Sequence, residues 1–323
     1  MPNYLAPEED GLTTRDSGEW TEEKLDYLMR YIWVFETSMR AKPWRERHYI
    51  DLLAGPGKCR IERTSQILLG SPLIALTTEH PFTDYFFVDI DHENVEALRQ
   101  RCSESTLAPT VTLKEGDCNI VVDEIVHHIR AVDNRRIEGA WPSLNLAFLD
   151  PEGFELRWDT IAKLASINRM DMVINFPIGG LNRFMPIAVE QERCQIDDFF
   201  GGTEWRQVYR EHAGRSGMAR ALLDLYKNKL VALGYQDVRG SEETGDEVLI
   251  RNTQRQAPLY YLMFSCKHSL GNEFWKRITW ATFPIYRLEQ MSYNSVGRQK
   301  WAKVRTSCQS IACLFKLKRG ILP

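Results

Sequence analysis

No apolar run in this 323-residue chain approaches the roughly 20 residues that a membrane-spanning helix requires. The first residues, MPNYLAPEEDG, carry no basic segment followed by an apolar one, so neither a secretory leader nor a membrane anchor is expected and the reading is cytoplasmic. The seven cysteines (Cys59, Cys102, Cys118, Cys194, Cys266, Cys308, Cys313) are scattered, odd in number and without a C-x-x-C pair. That argues against zinc ribbons and iron-sulfur centres and for reduced thiols. A phosphate-binding G-x-x-x-x-G-K-[ST] loop is missing, and no third glycine completes a dinucleotide fingerprint. A basic excess is missing too. The net charge of -3 and a pI near 6.2 exclude a uniformly nucleic-acid-coating surface, while leaving room for a local basic face.

What remains is ordinary globular composition, 43% hydrophobic and 26% charged, enough for one large domain with elaborations. Residues 1–18 are polar and read as an arm over the surface. Thr21 is a plausible N-cap for a helix whose stripe is Leu25, Leu28, Met29, Ile32, Phe35 and Met39. Apolar strands are expected at Tyr49–Ala54, Tyr85–Val88, Thr110–Leu113, Leu144–Leu149 and Asp171–Asn175, with helices at 93–102, 120–129 and 158–165 between them. This alternation predicts an α/β fold, a mostly parallel Rossmann-like sheet of the class I methyltransferase type. Residues 181–233 read as a helical insertion or cap. Runs at 247–252 and 259–266 read as a terminal antiparallel hairpin, which completes a 19–270 domain. From 271 to 323 a C-terminal extension follows, with seven cations and no acid after Val296. It either packs on the core or offers cations and aromatics to nucleic acid.

Acids and glycines at the strand ends carry the chemistry, because open α/β sheets bind ligands beyond the carboxyl ends of their strands. Asp51-Leu52-Leu53-Ala54-Gly55-Pro56-Gly57 ends the first strand. Gly55 and Gly57 either let the backbone approach a ligand or form a plain turn. Ala54 belongs to the same turn. Asp89 closes the second strand, where a carboxylate can accept both hydroxyls of a ribose or can simply be a solvated strand-end acid; Asp91 better fits a helix N-cap. After the third strand, Asp117 can accept an adenine amine with Cys118 against the ring, or Asp117 can simply cap the next helix. With no phosphate site, S-adenosyl-L-methionine (AdoMet) is the expected cofactor, and Asp51 is expected to face its ammonium or a loop amide. On the fourth strand, Asp150 and the Pro151 carbonyl can hold an amine N–H and aim its lone pair at a methyl group. Phe154 is either a stacking platform or a packed core ring. Asn175 and Pro177 end the fifth strand. Asn175 can meet a base edge, and Asn182 and Arg183 beyond can reach a phosphate, unless Arg183 is simply solvated. His48, His127 and His128 lack metal-ligand spacing and read as structural, so no metal is expected.

Trp20-Thr21-Glu22-Glu23-Lys24, the Asp51–Gly57 run, Leu68-Leu69-Gly70-Ser71-Pro72, Asp89-Ile90-Asp91 and Leu149-Asp150-Pro151-Glu152-Gly153 follow one another along the chain. In that order they resemble the motifs of the three-Cys-motif partner (TcmP) family. The resemblance spans roughly residues 18 to 270. It implies a class I methyltransferase-like fold and a partner protein with a three-cysteine, radical-enzyme-like motif. The Asp-Pro-x-Gly segment is similar to that of tRNA N2-dimethylguanosine methyltransferases, which implies a nucleic-acid amine as acceptor. Glu152 departs from that pattern, standing where an aromatic residue or a second proline is usual. It can read a ring N–H, guide a proton, or face water.

Overall fold

The structure is a computed structural model that describes residues 3–215, 217–236 and 247–280. In chain order its elements are β1 (Arg15–Ser17), α1 (Trp20–Met39), β2 (Arg47–Asp51), β3 (Lys58–Ile61), β4 (Ile67–Leu69), α2 (Ser71–Leu76), β5 (Asp84–Asp89) and α3 (His92–Ser103). A 3-10 turn (Ala108–Thr110) leads to β6 (Val111–Glu115), α4 (Cys118–Asn134), β7 (Leu144–Leu149), α5 (Trp158–Ala165) and β8 (Met170–Pro177). Then come α6 (Ile178–Ala188), α7 (Gln195–Phe200), α8 (Glu204–His212), α9 (Met218–Ala232), β9 (Val248–Arg251), β10 (Pro258–Ser265) and α10 (Ser269–Trp280).

Seven strands form the central sheet in the order β6-β5-β2-β7-β8-β10-β9. The first five are parallel, and β10 runs antiparallel to both β8 and β9. Every residue of β7 and β8 is buried, which is what two covered faces require of a central strand. Side chains alternate between the two cores. Ile50, Phe86, Ala147 and Ile174 face one, closed by α4 to α9. Tyr49, Phe87, Phe148 and Val173 face the other, closed by α1, α2, α3 and α10. The strand order reverses between β2 and β7, so the crevice beyond Asp51 and Leu149 is the switch point where such sheets take ligands.

Three features depart from the sequence reading. Helix α1 begins at Trp20 with Glu19 at the cap position and no side-chain cap bond, so Thr21 lies inside the helix, buried. The arm is not loose, because β1 pairs in parallel with β3 and builds a small second sheet, β1-β3-β4, over the glycine turn. The domain boundary expected at 270 falls inside α10, whose Phe274, Trp275 and Ile278 belong to the same core as α1. The basic tail, Arg298 to Arg319, lies outside the described residues.

Candidate functional site

The glycine turn after β2 is left-handed at Gly55 (φ +61°) and Gly57 (φ +92°), a backbone state that costs glycine little and other residues more. A Cβ on Gly57 would lie 2.8 Å from Leu98 Cδ1, so the turn is pressed against α3 there. At Gly55 a Cβ would meet nothing within 4 Å. The open side is a cavity of about 400 Å³, within the range of small-ligand sites. Of the residues singled out in sequence, Ala54, Gly55, Gly57, Asp150, Pro151, Glu152, Asn175 and Pro177 line it.

Asp150 is the centre of this cavity. Its Oδ2 accepts from Lys24 Nζ, and its Oδ1 accepts from Asn175 Nδ2 at 2.7 Å. Burial alone would push the carboxyl pKa up, but Lys24 and Arg15 hold it below the usual carboxylate range, so it is ionised at neutral pH. Asn175 Nδ2 also approaches the Pro151 carbonyl at 3.5 Å, while Asn175 Oδ1 is buried without a partner. The Tyr260 hydroxyl, from β10, is another cavity group without a partner. Among the described residues neither atom finds a partner, and a buried polar atom costs free energy until it has one. Glu152, with a side chain 71% exposed, pairs with Arg15 at the mouth. Glu155 accepts from the backbone N–H groups of Glu152 and Gly153, the latter at 2.8 Å, and so fixes the Asp-Pro-Glu-Gly loop.

Asp51 sits behind the turn, fully buried, accepting weakly from Leu53 N–H at 3.4 Å. Burial pushes its pKa up to about 7, opposed by the neighbouring Ser71 and reinforced by the charge of Asp150. The sign follows from linkage. Its folded pKa lies above the unfolded value of 3.8, so the folded state binds the extra proton and stability falls as pH rises from about 4 to 7. Asp51→Asn should therefore flatten the pH dependence of thermal unfolding and raise the midpoint at pH 8. A variant that is less stable than the parent at pH 8 would contradict this. The same variant should bind a cationic ligand more weakly.

The remaining candidates lie outside the cavity lining. Asp89 anchors the turn: Oδ2 accepts from Gly55 N–H at 2.8 Å, and Oδ1 accepts from Asp91 N–H at 2.9 Å and Asn94 Nδ2 at 3.2 Å. Asp91 caps α3 through Glu93 and Asn94, as its sequence position implies. Asp117 caps α4 through Asn119 N–H at 2.8 Å, and Cys118 is packed in the core, where burial pushes its thiol up to about 12. Close in sequence to these acids are Ile90, just after β5 and 73% exposed, and Ile120, in the first turn of α4 and 66% exposed. Of the two readings offered for Phe154, the packed core ring holds: it is buried edge-on against Phe184 and Phe199. The accessible ring is Phe184, 47% exposed, with the Arg183 guanidinium 5.3 Å from its centroid. Asn182 precedes them on α6.

Three cavity groups had no chemical role in the sequence reading: Arg15, Lys24, which entered only as the end of the Trp20–Lys24 motif, and Tyr260. A signal for Lys24 existed. Thr21, Lys24, Leu28, Tyr31 and Phe35 are spaced three and four apart, so the lysine interrupts a buried stripe, and a cation there needs a partner. Arg15 and Tyr260 are delivered by long-range strand pairing and leave no local trace.

No family model matches the chain, and no curated protein matches it. Among solved structures, protein LPL1258 from Legionella pneumophila str. Philadelphia 1, of the family model DUF519, aligns at 10% identity over 53% of this chain and 74% of its own, with a TM-score of 0.35. A possible exported protein from Bordetella parapertussis aligns at 10% identity over 82% of this chain and 77% of its own, with a TM-score of 0.34. Likenesses this faint carry no inference. Among the described residues, no helix is long and apolar enough to cross a membrane.

Proposed function

We propose that the chain is an AdoMet-dependent methyltransferase acting on an exocyclic amine of a nucleic-acid base. The observation that carries this reading is the placement of the glycine turn and of Asp150-Pro151 on adjacent strands of one switch-point cavity. The strand order supports it as well, since five parallel strands followed by a reversed β10 inserted beside β8 form the sheet expected of the class I methyltransferases. The residues present suit the cofactor. The open space at Gly55 admits a ligand against the turn, and Arg15 at the cavity mouth provides a cation for a carboxylate. When bound, AdoMet supplies an electrophilic methyl group.

The protein's part is positioning. The Asp150 carboxylate and the Pro151 carbonyl accept the two N–H bonds of the amine, and Asn175, through Nδ2, fixes both acceptors. Because Asp150 is held below the usual carboxylate range, it is a poor base, so the surplus proton leaves to water at the mouth beside Glu152. Phe184 and Arg183 on α6 offer a ring and a cation to the polynucleotide outside. Calorimetry of the full chain with AdoMet, then transfer of labelled methyl to total tRNA and DNA, tests this. Saturable binding with label in the nucleic acid is expected, and a folded protein that ignores AdoMet would end the proposal.

One observation favours a second reading. Lys24 and Asn175 already occupy both Asp150 oxygens, as they would in a methyltransferase-like binding module that works with a three-Cys-motif, radical-enzyme-like partner and does not transfer methyl. AdoMet binding without transfer to any nucleic acid would select it.

A further inference from the structure

Away from the cavity, at the opposite end of β2, Glu46, His48 and His128 bring three ligand atoms within 4.8 Å of one another. Sequence spacing hides this group, because Glu46 and His48 flank the start of a strand while His128 arrives from the far half of α4. Around His48, whose ring is fully buried, the hydrogen bonds settle the tautomer. Asn145 donates through Nδ2 to Arg169 O at 2.8 Å and to Ser143 Oγ at 3.2 Å, so its Oδ1 is the atom that faces His48 Nδ1 at 2.7 Å. His48 therefore carries its proton on Nδ1. In the neutral ring, Nε2 then presents a lone pair to Glu46 Oε2 at 2.9 Å, acceptor against acceptor. His128 Nε2 is a second imidazole nitrogen aimed at the same oxygen, at 3.8 Å. A proton on His48 would serve one of these contacts, whereas a divalent cation serves all of them.

We infer that Glu46, His48 and His128 form a binding site for a divalent transition-metal ion of the zinc class, clamping α4 to the start of β2. One carboxylate oxygen and two imidazoles are the donor set such ions take, with tetrahedral ligand atoms about 3.3 Å apart for bonds of about 2.0–2.1 Å. The contacts of 2.9 and 3.8 Å bracket that separation. Arg135 Nη1 takes the other carboxylate oxygen at 3.0 Å and Asn145 the far nitrogen of His48, so both ligands are already oriented by their outer partners. The His128 side chain, 45% exposed, leaves a side open to solvent for a water ligand.

The full chain, stripped with EDTA and titrated with zinc chloride by calorimetry, should take up an equivalent with a Kd at or below roughly micromolar, and its thermal midpoint should rise with free zinc. His128→Ala should weaken that event by about tenfold or more while leaving the midpoint in EDTA unchanged. His127→Ala, one residue along and exposed, should bind as the parent does. Zinc held by thiols elsewhere would appear equally in all three proteins, so the difference between them carries the result. If His128→Ala lowers the midpoint in EDTA, His128→Gln replaces it in the same comparison. Parent-like zinc affinity in the His128 variant, or no binding by the parent below about a millimolar, would overturn the site.

Discussion

Replacing Asp10 by alanine is expected to destabilise the fold by about 3–5 kcal/mol, because it strands two buried cations at once. Arg101 donates to Asp10 through Nε at 2.8 Å and Nη2 at 2.7 Å, and Lys58 Nζ lies 2.8 Å from Oδ2; the side chains of all three are fully buried. The remaining donors are bound into the backbone. Arg101 Nη1 reaches Thr13 O at 2.9 Å and Pro56 O at 2.5 Å, and Lys58 Nζ reaches Glu8 O at 2.9 Å. The network thus sews the arm to the glycine turn. Burial by itself would push Asp10 up, but the hydrogen bonds from Arg101 and Lys58 bring its pKa down to about 2. With a folded pKa below the unfolded 3.8, its contribution is present at neutral pH and is lost as pH falls toward 2. Urea unfolding of the full chain at pH 7 measures the loss. Asp10→Asn, which keeps an acceptor, should fall between parent and alanine, and a cost below about 1 kcal/mol for alanine would show the cations satisfied without the acid. AdoMet affinity should drop in the same variants, since Pro56 is part of the turn.

What the sequence made legible follows from periodicity. Strands such as Leu144–Leu149, apolar throughout and followed by Asp150, stand out because both of their faces are buried, and the acids that end them fall where ligands bind. The Gly55–Gly57 turn was readable for a different reason, since a backbone reversal with left-handed residues favours glycine. Strands β1, β3 and β4 were not, because runs of three or four residues have no period to detect and their partners are distant in the chain. That failure hid Arg15, Asp10 and the whole role of the arm. Phe154 was ambiguous for another reason. A phenylalanine after a strand looks the same whether it faces a ligand or a neighbouring ring, and here Phe199 on α7, 45 residues on, decides it.

Asp150→Asn should cut methyl transfer by roughly 10²–10³-fold while leaving AdoMet affinity within a few fold, because the carboxylate acts on the amine and not on the cofactor. The amide retains one oxygen, but its NH2 must then face either Lys24 Nζ or Asn175 Nδ2, both donors in the present arrangement. Lys24, with a side chain only 11% exposed, loses its counter-ion at the same time. Some stability is therefore lost with activity, and the two effects need separating. Lys24→Met does so. Lys24 is the first of the cations holding Asp150 ionised, so without it the Asp150 pKa rises. Transfer by Lys24→Met should persist at pH 8, with its acid limb displaced to higher pH, whereas Asp150→Asn should be slow at every pH. If Asp150→Asn transfers methyl at the parent rate, the carboxylate has no part in holding the amine. If Lys24→Met leaves the acid limb where it was, Lys24 does not set the charge of Asp150, and the pairing seen here serves the fold alone.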